Sequence, residues 1–117
     1  MELRSIDTSL CETGADMIVT DIDGNDTDAI ITLLGSESKV GRKLMLDFMR
    51  SIKDSKQEDG DSDKILSELT IGWKNIKIDG KEIKFTKEKA LELYKEFPIL
   101  KKQVDIFVSN NKNFLKK

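Results

Sequence analysis

The pattern of hydrophobic and polar positions begins with two β-prone runs that predict a hairpin. The runs, residues 17–22 and 29–34, are separated by a turn rich in Asp, Gly and Asn. Gly35 and Ser36 end the second run, and the Ser36 hydroxyl is suited to cap the first turn of a following helix. Residues 1–14 mix polar and apolar types without a period, which predicts a flexible or loosely attached N-terminus.

Residues 37–55 predict an amphipathic helix, because apolar side chains recur there at every fourth position. That face consists of Val40, Leu44, Phe48 and Ile52, with Met45 and Met49 beside it. Methionine at helical spacing is often core filling, but its flexible side chain also adapts to varied binding surfaces, so both roles stay open for Met45 and Met49. The next stretch, residues 54–63, contains no apolar side chain and predicts an exposed linker.

The C-terminal half begins with a pattern that predicts a short helix followed by a second hairpin. The helix is expected from about residue 64 to 71 and should end at Gly72. Residues 76–85 alternate apolar and lysine side chains around an Asp-Gly pair, which favours a tight hairpin turn. Trp73 stands between this helix and this hairpin, so its large ring is expected to anchor both.

Two further helices are predicted at the C-terminus. Thr86 is a suitable N-cap for the first of them. Pro98, the single proline, fits the first turn of the second helix better than the middle of one long helix. This last helix is expected to run to about Asn111, and Phe114 and Leu115 are expected to fold back against the protein as a terminal plug.

These elements and the chain length together predict a single α+β domain. A chain of 117 residues has room for one core. Residues 15–53 would supply the β-hairpin and a helix, and residues 64–117 would supply a helical module that contains the short hairpin and is anchored by Trp73. The charged fraction of 36% is high and the hydrophobic fraction of 38% is low, which indicates a large solvated surface.

Residues that carry chemistry are few. The chain has no His and one Cys, so the commonest general base is missing and Cys11 can form no disulfide within the chain. Acid-rich stretches starting at Asp21 and Asp59 resemble EF-hand loops, but Asp26 and Lys64 occupy the positions that such loops reserve for glycine. No apolar run is long enough to cross a membrane, and the first residues lack a signal-peptide pattern. We therefore expect a cytoplasmic protein with no catalytic site, no metal or other cofactor, and no membrane contact.

Charge is distributed unevenly along the chain. Residues 1–60 carry 7 basic and 13 acidic side chains, whereas residues 61–117 carry 13 basic and 9 acidic ones. This polarity is compatible with a homo-oligomer built by head-to-tail contact, with a charged partner, or with two solvated surfaces that happen to differ. A nucleic-acid partner is not expected, because the lysines of the C-terminal half alternate with acidic residues and no aromatic platform accompanies them.

An ordered series of residues runs through the C-terminal half. It consists of Gly72-Trp73, Ile76, Asp79-Gly80, Ile83, Phe85-Thr86, Ala90, Leu93-Tyr94, Gln103-Val104-Asp105, Phe107 and Asn113-Phe114. Over about residues 65–117 this series resembles the short tail-assembly chaperone proteins of tailed bacteriophages and prophages. Their C-terminal halves have a Gly-Trp pair, an Asp-Gly or similar turn, a Phe-(Ser/Thr) helix start and a final helix that ends in Asn-Phe. The resemblance rests on the order of the whole series, and the N-terminal half agrees with the family in outline only.

The resemblance implies a protein without enzymatic activity that acts in the cytoplasm of the bacterial host. Such a protein binds the long tape measure protein, keeps it soluble and helps to recruit tail tube subunits. The candidate partner-binding residues are Met45, Phe48, Met49, Trp73, Phe107 and Phe114. Two alternatives stay open: a structural tail accessory or completion protein that is retained in the virion, and a small regulatory protein that acts on a host target.

Overall fold

The computed structural model, which describes residues 1–53 and 61–115, has the α+β fold that the sequence predicted. Its helices and strands in chain order are α1 (Leu10–Thr13), β1 (Ala15–Thr20), β2 (Asp26–Leu33), α2 (Lys39–Lys53), α3 (Asp61–Leu69), β3 (Thr70–Lys74), β4 (Lys77–Ile78), β5 (Lys81–Glu82), α4 (Lys87–Glu96) and α5 (Pro98–Ser109). Short 3-10 helices at Leu3–Ile6 and Asn111–Phe114 lie near the two ends of the chain.

The predicted N-terminal hairpin is present, and one aspartate holds its turn. β1 pairs antiparallel with β2, with Met17 opposite Ile31. The Asp21 carboxylate accepts hydrogen bonds from the Asp23 and Asn25 amides at 3.0 and 2.9 Å. An aspartate in this position satisfies backbone amides that no strand partner reaches, which explains why the acid-rich stretch forms a turn.

The sheet has a third strand that the sequence pattern did not predict. α3 ends at Leu69 and not at residue 71, and β3 pairs antiparallel with β2, with Trp73 opposite Ile31 and Gly72 opposite Thr32. The strand order is therefore β1-β2-β3. A five-residue strand that contains a glycine is too short to show a period of two, and its pairing partner is distant in the sequence.

The core lies between the inner face of this sheet and helices α3, α4 and α5. The sheet contributes Met17, Ala29, Ile31 and Leu33, and the three helices contribute Leu66, Leu69, Ala90, Leu93, Tyr94, Val104 and Val108. Side chains of a strand alternate between two faces, so every second residue of β1 and β2 points inward. Helix α2 contacts α3, and its Leu44 packs partly buried against the core. Helix α2 therefore lies at the edge of the fold.

Around Cys11 the N-terminal segment is attached more firmly than predicted, whereas residues 1–6 are exposed. Cys11 is buried, and its carbonyl accepts a hydrogen bond from the Gly35 amide at 2.9 Å. A Cβ atom at Gly35 would lie 2.5 Å from the Cys11 Cβ, so only glycine allows this close approach. Burial, followed by the charge of Glu12, raises the pKa of the Cys11 thiol. The thiol is therefore a poor nucleophile at neutral pH.

An ion pair joins the start of α3 to α5, between a buried Asp63 and a Lys101 side chain that is 31% exposed. Asp63 is 7% exposed, and its Oδ1 lies 2.7 Å from Lys101 Nζ. Lys101 also donates to the Ser62 hydroxyl at 2.9 Å. Of the predicted linker, residues 54–63, the first seven lie outside the described residues, and the last three belong to α3 instead. The acidic start of α3 is favourable because it lies at the positive end of the helix dipole.

The C-terminal hairpin and the helices after it form as predicted. Asp79 and Gly80 have φ angles of 52° and 80°, the left-handed pair that a two-residue hairpin turn requires. The Thr86 hydroxyl accepts a hydrogen bond from the Lys89 amide at 3.0 Å and caps α4. Pro98 is the first residue of α5, where its missing N–H leaves no helix bond unmade.

Candidate partner-binding surfaces

Helix α2 exposes a group of large apolar side chains on the side that faces away from the core. Met45, Leu46 and Met49 are 46%, 56% and 60% exposed, and we call these three the apolar row. Leu44 and Phe48 are half-buried, which shows that the predicted inward face is only partly correct, because Val40 at its start is exposed. Since α2 lies at the edge of the fold, no other described helix covers the apolar row.

Four cations lie beside the apolar row, and we call them the basic face. They are Lys39, Arg42, Lys43 and Arg50, which with Leu46 and Asp47 line a shallow cavity of about 390 Å³. Residues spaced by three, four, seven and eleven positions share one side of a helix, so these cations form a continuous strip. Sequence reasoning missed this strip, because it had summed charges over the first sixty residues.

The start of α2 is fixed to the body of the protein by hydrogen bonds. The Ser38 hydroxyl donates to the Gly35 carbonyl at 2.6 Å and accepts from the Gly41 amide at 3.0 Å. The prediction that Ser36 would cap this helix was therefore wrong by two residues. The Glu12 carboxylate accepts from the Lys39 amide at 3.1 Å, which places a negative charge at the positive end of the helix dipole. These bonds fix the N-terminal end of the surface that α2 presents.

Trp73 lies on the inner side of β3, between the sheet and the C-terminal hairpin. Its indole N–H donates to the Ile83 carbonyl at 2.7 Å, and its ring meets Phe85 edge-to-face with centroids 5.0 Å apart. The anchoring role expected from the sequence is therefore present, although it joins a strand to the hairpin and not a helix. The indole is half-buried, so a direct contact between Trp73 and a partner stays a prediction.

The two candidate phenylalanines at the C-terminus pack against each other. Their ring centroids are 5.5 Å apart, and Phe114 is 0% exposed while Phe107 is half-buried. Phe114 thus folds back as the predicted plug, and its side chain is not accessible to a partner in this conformation. Among the six candidate residues, only Met45, Phe48 and Met49 share one element.

A second concave surface was not foreseen from the sequence. It is a groove of about 450 Å³ between the tip of the first hairpin, residues 75–78 and the junction of α4 with α5. Its apolar walls include Val19, Ile76, Ile78, Leu93, Phe97 and Leu100. At one side, the Gln103 amide donates to the Thr20 carbonyl and accepts from the Thr20 amide, at 2.9 and 3.0 Å. The groove draws its walls from distant parts of the chain, so no local sequence pattern could reveal it.

The described residues contain neither a metal-binding cluster nor a membrane-spanning helix. Within residues 1–53 and 61–115, no three His, Cys, Asp or Glu side chains are placed to hold a metal ion. No helix in the same part of the chain is long and apolar enough to cross a membrane. The acid-rich stretch that starts at Asp59 begins outside the described residues.

Comparison with known proteins adds no relative to this picture. No family model matches the chain, and no curated protein or solved structure matches it either. The features of this chain that bear on function are therefore the surfaces described above and the ordered series of residues in the C-terminal half.

Proposed function

We propose that this protein is a non-enzymatic assembly chaperone of a tailed bacteriophage or prophage. It binds the tape measure protein in the cytoplasm of the bacterial host, keeps that client soluble and promotes assembly of the tail tube around it. The observation that carries the proposal is the apolar row Met45, Leu46 and Met49, which is exposed on a helix whose opposite side is docked on the fold.

The chemistry of the apolar row suits a long helical client. An amphipathic helix binds a partner through side chains spaced by three and four positions, and Met45 and Met49 have this spacing. Methionine side chains are flexible and polarizable, so they can adapt to successive segments of a client that differ in sequence. Three exposed side chains form a small contact, which is appropriate for a factor that must leave the finished tail.

The ordered C-terminal series supports the proposal through the scaffold that it builds. Trp73 joins β3 to the hairpin, Thr86 caps α4, and Phe107 packs on Phe114. These residues stabilise the module and are mostly turned inward. In this proposal they maintain the scaffold, while contact with the client belongs to α2.

Co-expression with a tape measure protein tests the proposal. We expect the soluble fraction of the client to rise, and the complex to elute as one species in size-exclusion chromatography with light scattering. The double variant Met45→Glu/Met49→Glu should lose this effect without unfolding, because both side chains are exposed. Ile106→Glu, which alters a 61% exposed side chain on α5, is the matched control and should retain it. Unchanged client solubility with the wild-type protein would remove the main support for the proposal.

A structural tail accessory or completion protein is the second candidate function. The outer face of the three-stranded sheet favours it, because Ile18 and Ile71 are exposed there and Gly72 leaves open space above the strand. A flat face of this kind suits a permanent contact with another tail subunit. Mass spectrometry of purified virions separates the two functions. A chaperone should be absent from the particle, and stoichiometric amounts in it would overturn the chaperone proposal.

A further inference from the structure

We infer that the α2 surface selects helical segments that carry acidic side chains along one edge of their apolar stripe. The inference deepens the proposed function, since it rests on α2 as the client-binding element and specifies the chemistry of the client. It follows from the charge, the geometry and the surroundings of the basic face.

The positive charge on α2 is a local feature of the chain. Lys39–Lys53 contains five cations and one acid, Asp47, whereas residues 1–38 contain one cation and nine acids. The whole chain has a net charge of −2, so this helix differs in sign from its neighbours in the sequence. A local cluster of one sign attracts partners of the opposite sign and repels clients that carry the same sign.

The cations of the basic face are largely available to a partner. Arg42 donates through Nε to the Glu37 carbonyl at 2.9 Å, and its ion pair with the Glu37 carboxylate is long, at 3.9 Å, and exposed, so that it contributes little to stability. Lys43 and Arg50 make no ion pair with any residue in the ranges 1–53 and 61–115. Binding of an acidic segment would therefore form new ion pairs without breaking strong ones.

The geometry places the cations on the side of Met45 and Met49 where Leu46 also lies, and Leu46 itself stands between Arg42 and Arg50. Met45 and Met49 are four positions apart, and Arg42, Leu46 and Arg50 follow the next line along the helix. The opposite border of the apolar row turns toward the core, where α2 packs on α3. A helix that packs on Met45 and Met49 therefore meets Leu46 and the cations along one edge, and the edge of that helix which faces the cations should be acidic.

A helical peptide fits this surface better than a lipid or a nucleic acid does. A helix that lies in a membrane inserts a wide apolar face, but the centre of the apolar side of α2 is occupied by the half-buried Leu44 and Phe48. Binding of single-stranded nucleic acid uses exposed aromatic rings beside cations, and none of the exposed residues of α2 described here is aromatic. Asp47 within the basic face would also repel a phosphate backbone.

Two synthetic helical peptides provide a direct test on the full chain. They share one stripe of leucine and alanine and match α2 in length, 15 residues. One carries glutamate and the other lysine along a single edge. Fluorescence anisotropy at low salt should show the acidic peptide binding roughly tenfold more tightly, because several exposed ion pairs form together, and the preference should shrink as salt is added.

Charge reversal on α2 should reverse the preference. Lys43→Glu/Arg50→Glu should bind the lysine peptide more tightly than the glutamate peptide. Lys95→Glu/Lys102→Glu makes the same change in net charge at exposed positions on α4 and α5, and should keep the wild-type preference. Equal binding of both peptides by the wild-type protein, or an unchanged preference in the α2 variant, would overturn the inference.

Two other ligands of the α2 surface, a lipid membrane and a second copy of this chain, predict different results. If the protein sediments with vesicles of phosphatidylglycerol and phosphatidylcholine, and if this depends on Lys43 and Arg50, then the ligand of α2 is a lipid surface and not a helical peptide. If the wild-type protein self-associates and the acidic peptide does not disrupt this association, then the ligand of α2 is a second copy of this chain.

The charge specificity of α2 and the proposed chaperone function can be rejected independently of each other. A preference for the acidic peptide together with no effect on the tape measure protein would retain this specificity and reject the chaperone function. If the client is solubilised equally well by wild-type protein and by Lys43→Glu/Arg50→Glu, the chaperone function stands and the charge specificity is rejected.

Discussion

The indole N–H of Trp73 donates to the Ile83 carbonyl at 2.7 Å and so ties the third strand of the sheet to the C-terminal hairpin. The two residues are ten positions apart, and the intervening residues include the turn that Asp79 and Gly80 form. The single tryptophan of the chain therefore links two sheets that share no strand. Its position beside a hairpin has a structural explanation that does not require a ligand.

Two substitutions of Trp73 should separate the energetic contribution of its hydrogen bond from that of its ring packing. Trp73→Phe keeps most of the ring and loses the N–H, so we expect a loss of about 1 kcal/mol in the free energy of unfolding. Trp73→Ala also removes the contact with Phe85, and the expected loss is about 3 kcal/mol. Urea unfolding followed by circular dichroism measures both values. Equal losses for the two variants would show that packing of the ring contributes nothing.

The buried hydroxyls of Thr70 and Tyr94 should make stability depend on pH in the alkaline range. They lie 2.6 Å apart, and Thr70 also donates to the Leu66 carbonyl at 2.8 Å. Burial raises the pKa of Tyr94 from 10.0 to about 12, although the Thr70 hydrogen bond lowers it. Because the folded state holds this proton more tightly than the unfolded state, the stabilisation is complete below pH 10 and is lost as the pH rises to about 12.

The size of this effect follows from the shift in pKa. A shift of about two units corresponds to about 3 kcal/mol, lost between pH 10 and 12. Tyr94→Phe should lack this part of the pH dependence, and at pH 7 it should be less stable by about 1 kcal/mol because the hydrogen bond is gone. Urea unfolding of both proteins from pH 7 to 12 makes the comparison. Parallel curves for the wild-type protein and the variant would contradict the assignment.

Removing one partner of the Asp63–Lys101 pair should lower the free energy of unfolding more than removing both charges together. Lys101→Met leaves a carboxylate that is 7% exposed without its partner at 2.7 Å, and we expect a loss of about 3 kcal/mol. Asp63→Asn/Lys101→Met removes both charges and should recover part of that loss. The check is a double-mutant cycle by urea unfolding. Additive effects of the two single variants would show that the pair does not couple α3 to α5.

Signals confined to a few neighbouring residues predicted their elements correctly. The Asp-Gly turn, the Thr86 cap and the Pro98 start depend on backbone conformations that a residue type sets by itself, and all three are where the sequence placed them. β3 and the groove beside Gln103 depend on pairings between distant parts of the chain. Periodicity contains no information about those pairings, so both were missed.

The candidate site was only partly predictable from the sequence, because the exposure of its side chains also depends on tertiary contacts. The spacing of Met45 and Met49 on one helix was visible in the sequence, and both side chains are exposed. Which side of α2 would face the core depended on how that helix docks, so Val40 was placed inward although it is exposed. The inaccessibility of Phe114 likewise depends on a tertiary contact, its packing on Phe107.

Gln103 covers part of the free edge of the sheet at β1. β1 is an edge strand, and the Gln103 side chain forms hydrogen bonds with both the amide and the carbonyl of Thr20. The N–H and C=O of one strand residue point to the same side, so these groups face away from β2 and would otherwise be free to pair with another chain. Gln103→Ala should lower the free energy of unfolding by about 1 to 2 kcal/mol, because two partly buried hydrogen bonds to the Thr20 backbone are lost.

The same variant should also aggregate faster, because it uncovers an unpaired strand edge. Light scattering during incubation at 37 °C, with urea unfolding in parallel, measures the two effects. Lys102→Ala, at an exposed neighbouring position on α5, is the control and should change neither. Faster aggregation of Gln103→Ala than of a variant with equal loss of stability, such as Trp73→Phe, would assign the effect to the open edge. Equal aggregation at equal stability would show that Gln103 acts only through the energy of its two hydrogen bonds.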